Sequence, residues 1–237
     1  RHFGDWRAPE TPAPELSLAT AVQPAAPHII LIDRPGSPQS VIMGGKVLPI
    51  TGTAPDMEAL DLANDVLGGG FLSRLNRDLR EEKGWSYGVY SSLSNPVGPR
   101  AFSLSAPVQA DRTGDALRTL IALINAFPAQ SPVDGDELDR VTTGNIRSLP
   151  TRFETNADVL SALAQNRRLG RPDNYHQTLP MRWQAIDART IGNAASQYLG
   201  SNGLLFVVVG DRRLVEGQLR GIEGYRLDIA PTATTGG

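Results

Sequence analysis

The order of strand-like and helical segments is the feature of this sequence that most narrowly limits its fold. Apolar, β-branched runs predict strands at 28–33 (HIILID), 39–47, 85–93, 101–108, 204–209 (LLFVVV) and 225–229. The third and fourth runs flank the loop 95–99 (NPVGP), and this arrangement predicts a hairpin. The pair Gly44–Gly45 inside the second run is typical of a β-bulge.

Helical spacing of apolar residues fills the stretches between these runs. It predicts helices over 56–67, 71–83, 113–127, 134–149, 153–169 and 188–199. In the second helix Leu72, Leu75 and Leu79 form the stripe that we expect to be buried. The glycines 68–70 are expected to end the first helix in a turn that needs glycine backbone angles, and Gly84 is expected to cap the second.

Strand and helix do not alternate strictly along the chain, because a strand pair is followed by helices, a hairpin, more helices and further strands. This order favours an α+β fold with a mainly antiparallel sheet and helices packed on one face. The compact domain is expected over 28–230, and a length of 237 residues allows one large domain or two small ones. Prolines punctuate residues 1–27, a predicted linker, and 231–237 is a predicted disordered tail.

Composition excludes several classes of function. The formal net charge of -2 gives no electrostatic reason to expect nucleic acid or an anionic membrane as partner. No apolar run approaches the ~20 residues of a membrane span, and the start of the chain (RHFGDW) lacks the apolar core of a signal peptide, so we expect neither. Cysteine is absent, which removes disulfides, thiolate zinc sites and cysteine nucleophiles.

Metal binding by this chain is not expected either. Its three histidines, His2, His28 and His176, lie far apart in the sequence. None stands in a His-x-x-Glu-His pair, the spacing that places two imidazoles on one helical face. We therefore predict no metal site and no cofactor bound by this chain.

The segment 64–92 carries the most specific motif, NDVLGGGFLSRLNRDLREEKGWSYGVYSS. Its spaced elements are the glycine-rich stretch 67–70, the triplet Ser73-Arg74-Leu75, and Leu79-Arg80 followed by Gly84 and Tyr87. Together they resemble the insulinase, pitrilysin and mitochondrial processing peptidase family of zinc proteases. The likeness is closest across these roughly thirty residues and extends more weakly over 28–230.

This resemblance implies a specific role for the chain. Such proteases have two similar halves that close around a peptide, and the half with His-x-x-Glu-His holds zinc. The other half supplies an arginine and a tyrosine, and this chain resembles that C-terminal, non-zinc half. The resemblance thus implies Arg80 and Tyr87 as catalytic residues and a peptide substrate. Its partner would be a zinc-bearing half, in the same polypeptide or as a separate subunit, in a bacterial cell envelope or periplasm. The chain alone would be inactive.

The chemistry of peptide hydrolysis explains why an arginine and a tyrosine would matter. Negative charge builds on the scissile carbonyl oxygen, and a guanidinium or a phenol can stabilise it by hydrogen bonding. Arg80 lies near a predicted helix end and Tyr87 three residues beyond Gly84, so both can project from one helix-to-strand corner. Arg74 and Arg77 are further candidates for binding the peptide, although most arginines on helix surfaces are simply solvated.

Two other functions fit parts of the sequence. The first is a catalytically inactive scaffold or peptide-docking subunit of the same family, which would have no need of both Arg80 and Tyr87. The second is a nucleotide-binding enzyme, because the glycines 68–70 precede a helix whose free amides could bind an anion. No Lys-Ser or Lys-Thr follows these glycines, so a glycine-dependent turn explains them better.

Overall fold

The structure, a computed structural model, describes residues 5, 7, 11 and 27–231. Most of the predicted linker at 1–27 and the predicted tail beyond residue 231 lie outside the described residues. The strands are β1 (His28–Asp33), β2 (Gln39–Thr51), β3 (Tyr90–Leu93), β4 (Pro99–Gln109), β5 (Leu205–Gly210) and β6 (Arg226–Ile229).

Helices occupy most of the remaining chain. The α-helices are α1 (Met57–Asn64), α2 (Arg74–Asn76), α3 (Thr113–Ala126), α4 (Gly135–Ser148), α5 (Asn156–Arg168), α6 (Tyr175–Gln184), α7 (Ala188–Tyr198) and α8 (Arg212–Leu219). Two of them continue as π-helical turns, α1 through Asp65–Gly69 and α2 through Arg77–Glu82. Among the described helices, none is long and apolar enough to cross a membrane.

The strands form one mixed sheet in the order β3-β4-β2-β5-β1-β6. Strand β2 is antiparallel to β4 and β5, and β3 to β4, whereas β1 is parallel to β5 and β6. The prediction of a mainly antiparallel sheet is therefore confirmed, as is the hairpin of β3 and β4. Strands β1 and β2 are consecutive in the chain but do not pair, because β5 lies between them and pairs with both.

Side chains alternate across this sheet, and the helices among the described residues cover one of its faces. Ile29, Leu31 and Phe206 point toward the helices and are fully buried. Ile32 and Met43, on the opposite face, are exposed. The predicted packing of helices on one face is confirmed, and the core lies between that face and the helices.

Gly68 and Gly69, which follow α1, serve close packing and not the predicted turn. The helix continues through Gly68 and Gly69 as a π-helical turn, and neither they nor Gly70 has a positive φ. A Cβ on Gly68 would stand 2.4 Å from the Ser91 hydroxyl of β3, and a Cβ on Gly69 would stand 2.4 Å from the carboxylate of Asp65. Larger side chains would push this turn away from the edge of the sheet.

Gly44 in β2 also has a packing role. The predicted bulge at Gly44–Gly45 is absent, since β2 pairs with β4 in continuous register from Gln39 to Val47. A Cβ on Gly44 would stand 2.8 Å from the ring of Phe206. Glycine is needed here because an aromatic ring of the core occupies the space of its side chain.

Other differences from the sequence predictions have local causes. Helices α6 and α8 were not predicted. Helix α6 contains Pro180, a residue that argues against a helix. Helix α8 buries two of its residues, so its apolar pattern is weak. The predicted strand 85–93 shortens to β3, preceded by a single bridge at Ser86. Leu75 and Leu79 are buried as predicted, but Leu72 lies before α2 and is exposed.

The packing of α3 against α8 provides a test of this fold. A Cβ on Gly114 in α3 would stand 2.6 Å from the backbone oxygen of Gln218. We expect Gly114→Ala to lower the free energy of unfolding by about 1–3 kcal/mol, because rigid backbone must move. The control is Gly144→Ala in α4, where a Cβ meets nothing within 4 Å, and it should stabilise the helix by about 0.5–1 kcal/mol. Urea denaturation measures both, and equal stability would contradict the packing.

Candidate functional site

Arg80 lies on the π-helical turn that follows α2. Its neighbour Leu79 is fully buried, which anchors the turn on the core and leaves the Arg80 side chain 31% exposed. The Arg80 guanidinium lies over the ring of Phe71, with its carbon 4.2 Å from the ring centroid. It also forms an ion pair with the exposed carboxylate of Glu81. Arg80 is therefore held by an aromatic ring beneath it and remains open to solvent.

The chain reverses direction directly after this turn. Gly84 has φ +64, a left-handed conformation that favours glycine, so the prediction that Gly84 caps this helix is confirmed. The backbone amides of Trp85 and Ser86 both donate to the carbonyl of Leu79, at 2.9 and 3.3 Å. These bonds bring the segment that carries Tyr87 back beside the residue that precedes Arg80.

Tyr87 projects from a firmly held stretch of backbone. The Ser86 hydroxyl donates to the carbonyl of Pro107 at 2.6 Å and accepts from the amide of Gly88 at 3.1 Å. Tyr87 itself is 85% exposed, and none of the described residues hydrogen-bonds its hydroxyl. The backbone on either side is anchored, whereas the phenol extends into solvent as a free donor.

Asn76 connects the two segments that carry Arg80 and Tyr87. It is fully buried at the end of α2. Its side-chain amide donates to the carbonyl of Phe71 at 2.6 Å, and its side-chain oxygen accepts from the amide of Val89 at 2.9 Å. One side chain thus fixes the residue that supports Arg80 relative to the strand that follows Tyr87. We call the corner formed by Phe71, Asn76, Arg80 and Tyr87 the Arg–Tyr corner.

Arg74, predicted as a peptide-binding residue, lies inside the fold. Its guanidinium makes two hydrogen bonds to the carboxylate of Glu137, at 2.8 and 2.5 Å. It also donates to the carbonyls of Ser131 and Pro132, at 2.6 and 2.8 Å, and lies 4.8 Å from the ring centroid of Phe127. These contacts engage the guanidinium on all sides, and they favour a structural role over contact with a peptide.

The Arg74–Glu137 pair has a clear electrostatic signature. Burial would raise the pKa of Glu137, but hydrogen bonds from Arg74 and from the Asp134 amide outweigh it and hold the pKa below its ordinary value. This stabilisation is fully present above the unfolded pKa, close to 4.5, and is lost as the pH falls through the lowered folded value.

Arg77, the other predicted peptide-binding residue, differs from Arg74. Its side chain is 60% exposed and stands 3.7 Å from the carboxylate of Glu82. An exposed pair at this distance contributes little to stability, so Arg77 is free to contact a ligand. Of the two candidates, only Arg77 has an exposed side chain.

Sequence reasoning missed Phe71, Asn76 and Glu137 as parts of this site. Asn76 carried a detectable signal, since it follows Leu72 by four residues and precedes Leu79 by three, and thus occupies a buried position of the helical stripe. A polar residue at such a position needs hydrogen-bond partners. Phe71 and Glu137 gave no comparable signal, because their contacts depend on the folded chain.

The described residues contain no group of three or more His, Cys, Asp or Glu side chains arranged to hold a metal ion. The Arg–Tyr corner instead offers hydrogen-bond donors and positive charge. Such a surface can bind a peptide carbonyl or stabilise an oxyanion.

Known proteins resemble this chain in sequence. A family model described as peptidase M16 inactive domain matches residues 1–144. The non-peptidase homolog YmxG of Helicobacter pylori is 26% identical over 177 residues, covering 74% of this chain and 40% of that protein. An uncharacterized zinc protease of Mycobacterium bovis is 27% identical over 175 residues, covering 70% of this chain and 38% of that protein. The chain thus spans about two fifths of these relatives.

A solved structure resembles the fold. The crystal structure of a peptidase M16 inactive domain from Pseudomonas fluorescens has a TM-score of 0.70 at 25% sequence identity. The similarity covers 82% of this chain and 47% of that chain.

The different surroundings of Arg74 and Arg77 predict different effects of truncation. Arg74→Ala leaves the Glu137 carboxylate buried without its partner, and we expect the free energy of unfolding to fall by about 3–5 kcal/mol. Arg77→Ala is the matched control on the same helical stretch, and its effect should stay under about 0.5 kcal/mol. Urea denaturation compares the two. If Arg74→Ala were as mild as the control, Arg74 would be available for a ligand after all.

Proposed function

Since this chain belongs to the peptidase M16 inactive domain family, we propose that it is the non-zinc half of a zinc metallopeptidase and acts with a zinc-bearing half. That half stands in the same polypeptide or is a separate subunit, and it carries His-x-x-Glu-His. In this proposal the present chain helps to bind the peptide and to stabilise the transition state, and it has no activity alone. The observation that carries the proposal is the Arg–Tyr corner, where one cation and one free phenol project from anchored backbone.

The chemistry of the corner suits a carbonyl oxygen that gains negative charge. Zinc in the partner half would polarise the scissile carbonyl and lower the pKa of its bound water. From this chain, Arg80 would provide a full positive charge and Tyr87 a neutral hydrogen-bond donor. Both groups would be in position before any charge develops, because the backbone around them is already held. Such preorganisation makes hydrogen-bond donors effective.

Arg80 would exchange partners when a peptide binds. Its ion pair with Glu81 is exposed, and exposed pairs contribute about 0–1 kcal/mol, so breaking it costs little. The ring of Phe71 would continue to support the guanidinium through a cation–π contact. Arg77, whose side chain is also exposed, would bind another carbonyl or a carboxylate of the peptide. Peptide as substrate and a bacterial cell envelope as location belong to this proposal.

A catalytically inactive scaffold or peptide-docking subunit is the second candidate. It is favoured by the likeness to a relative named as a non-peptidase homolog. A docking subunit could use the exposed Tyr87 ring for contact alone, without its hydroxyl. The two candidates therefore differ in what the hydroxyl of Tyr87 contributes.

Removing that hydroxyl tests the proposal in the complex with the zinc-bearing half. Tyr87→Phe keeps the ring and deletes one donor, so we expect kcat/KM to fall about 10- to 100-fold with assembly unchanged. Arg80→Lys should also lower kcat/KM, because an ammonium keeps the charge and loses the planar fork. Steady-state cleavage of a fluorogenic peptide measures both.

Two further results decide between the candidates. The double variant Tyr87→Phe/Arg80→Lys should lose less transition-state stabilisation, measured from kcat/KM, than the two single variants lose in sum. The reason is that both groups would act on one oxygen. Full activity of Tyr87→Phe and Arg80→Ala in assembled complexes would remove the catalytic proposal and leave the scaffold in its place.

The Asn76 bridge gives a separate prediction about positioning. Asn76→Ala leaves the Phe71 carbonyl and the Val89 amide without their hydrogen-bond partner. The control is Asn64→Ala, which removes the hydrogen-bond partner of Ser91 in β3. We expect each to cost about 1–3 kcal/mol of stability. Only Asn76→Ala should lower kcat/KM at temperatures where both proteins are fully folded.

A double-mutant cycle gives the Asn76 prediction its sharpest form. If Asn76 acts by positioning the Arg–Tyr corner, Asn76→Ala should lower kcat/KM by a smaller factor in the Tyr87→Phe background than in the wild-type chain. Equal losses of activity in Asn76→Ala and Asn64→Ala would mean that Asn76 contributes stability alone.

A further inference from the structure

Two hollows of different character meet between α5 and α6. The polar hollow has a volume of about 560 Å³ and is lined by Arg152 and Arg168 among others, and the apolar hollow has a volume of about 360 Å³. Phe153, Ala162 and His176 line both of them, so one hollow continues into the other. The pair therefore suits a ligand with one charged end and one apolar end.

The apolar hollow contains buried polar atoms that have no hydrogen-bond partner. Its apolar lining comes from Leu149, Pro150, Phe153, Val159, Ala162 and Leu163. Asn166, which also lines it, is 4% exposed, and its side-chain oxygen is buried without a partner among the described residues. The same holds for both ring nitrogens of His176. Asp173 and Gln177 complete the lining and are exposed. Because buried polar atoms in proteins are hydrogen-bonded almost without exception, these atoms indicate a ligand that bonds to them.

The surroundings of His176 define what its ring offers a ligand. An edge-on contact with the ring of Phe153, with centroids 5.1 Å apart, helps to hold the imidazole in place. Burial lowers the pKa of His176, and the nearby charges of Arg171, Arg152 and Arg182 lower it further. The neutral imidazole therefore has one N–H donor and one acceptor, in a positive field that favours an anion.

Two arginines of the polar hollow are available to bind such an anion. Arg152 and Arg168 are exposed, and in the part of the chain that the structure describes neither forms an ion pair. Each donates to a neutral oxygen, the side-chain oxygen of Asn145 at 3.3 Å and the carbonyl of Asn95 at 3.1 Å, respectively. Asp158 lines the same hollow, but its carboxylate is engaged in the capping box at the start of α5.

We propose that the two hollows form a binding site for the carboxyl-terminal end of a peptide whose last residue is apolar. The terminal carboxylate binds Arg152 and Arg168, because guanidinium groups match a carboxylate in both charge and geometry. The last side chain fills the apolar hollow and covers Val159 and Leu163, which are 39% and 55% exposed.

The backbone of such a peptide also accounts for the buried polar atoms. The N–H of its last residue donates to the side-chain oxygen of Asn166, and the imidazole of His176 donates to the carboxylate. A fatty acid likewise has a carboxylate and an apolar chain, but it has no N–H for Asn166. None of these residues belongs to the Arg–Tyr corner, so the site does not depend on the proposed function.

An NMR titration of the isotopically labelled full chain with acetyl-Ala-Leu tests the proposal. We expect saturable shifts centred on α5 and α6, a shift of the ring signals of His176, and a Kd in the millimolar range or below. The amide of this peptide lacks the carboxylate and acetyl-Ala-Asp lacks the apolar side chain, so each should bind about tenfold more weakly or worse. No saturable shift, shifts centred elsewhere, or equal affinity for the amide would overturn the proposal.

Decanoate tests a fatty acid as the source of the carboxylate. Because it has no N–H, it should bind about tenfold more weakly than acetyl-Ala-Leu, and Asn166→Leu should not weaken it. If decanoate bound more tightly than the peptide and shifted the same signals, the ligand would be a fatty acid and the proposal would be wrong.

Two neighbouring arginines on α5 give a matched pair of variants. Arg168 lines the polar hollow, whereas Arg167 is exposed and lines neither hollow. Arg168→Gln should raise the Kd for acetyl-Ala-Leu about fivefold or more, and Arg167→Gln should change it less than about twofold. Equal effects would mean that the peptide is attracted by general positive charge, and the site would be excluded.

The buried polar atoms separate ligand binding from a role in folding. Asn166→Leu and His176→Phe replace unpartnered polar atoms by apolar groups of similar shape, so the melting temperature should stay unchanged or rise. Each variant should nevertheless raise the Kd for acetyl-Ala-Leu about fivefold or more. A lower melting temperature with unchanged affinity would show that these side chains serve the fold alone, and would overturn the proposal.

Discussion

The ion pair of Arg74 with Glu137 is the interaction on which the arrangement of the Arg–Tyr corner depends. Two charges removed from water are stable together only when their remaining donors and acceptors are satisfied, and here the carbonyls of Ser131 and Pro132 complete the set. The pair joins α2 to the start of α4, 63 residues apart in sequence. With α2 fixed in this way, Asn76 at its end can position the strand that follows Tyr87 as well as the residue beneath Arg80.

The same short helical stretch therefore contains two kinds of arginine. Arg74 points into the domain and donates its hydrogen bonds to residues of the fold. Arg80, less than two turns later, lies over the ring of Phe71 and reaches solvent. Sequence spacing placed both on the polar side of a predicted helix and had no means of separating them, because the acid that binds Arg74 comes from a distant segment. The change to a π-helical turn after Asn76 also alters the direction of each later side chain.

The parts of the fold that local pattern determines were predictable. Leu75 and Leu79 follow helical spacing, Gly84 marks a helix end, and the loop between β3 and β4 signals a hairpin. The parts that depend on distant partners were not predictable. Strand β5, from the far end of the chain, lies between β1 and β2. Gly44 and Gly68 leave space for the side chains of Phe206 and Ser91, respectively. For the site, the motif identified Arg80 and Tyr87 as candidates, and helical spacing offered a signal for a buried polar residue at Asn76. The contact of Phe71 with Arg80 depends on the folded chain.

The proposed division of labour between two halves of an enzyme makes a structural demand on the corner. A group that stabilises developing charge must be fixed before the reaction, so its backbone should be rigid and its functional atoms free. Tyr87 meets both conditions, since Ser86 and Val89 are hydrogen-bonded on either side while its hydroxyl has no partner among the described residues. A free donor of this kind gives the domain itself nothing in stability. In the proposed function, the oxygen that this hydroxyl would bind arrives with a substrate held between this domain and another.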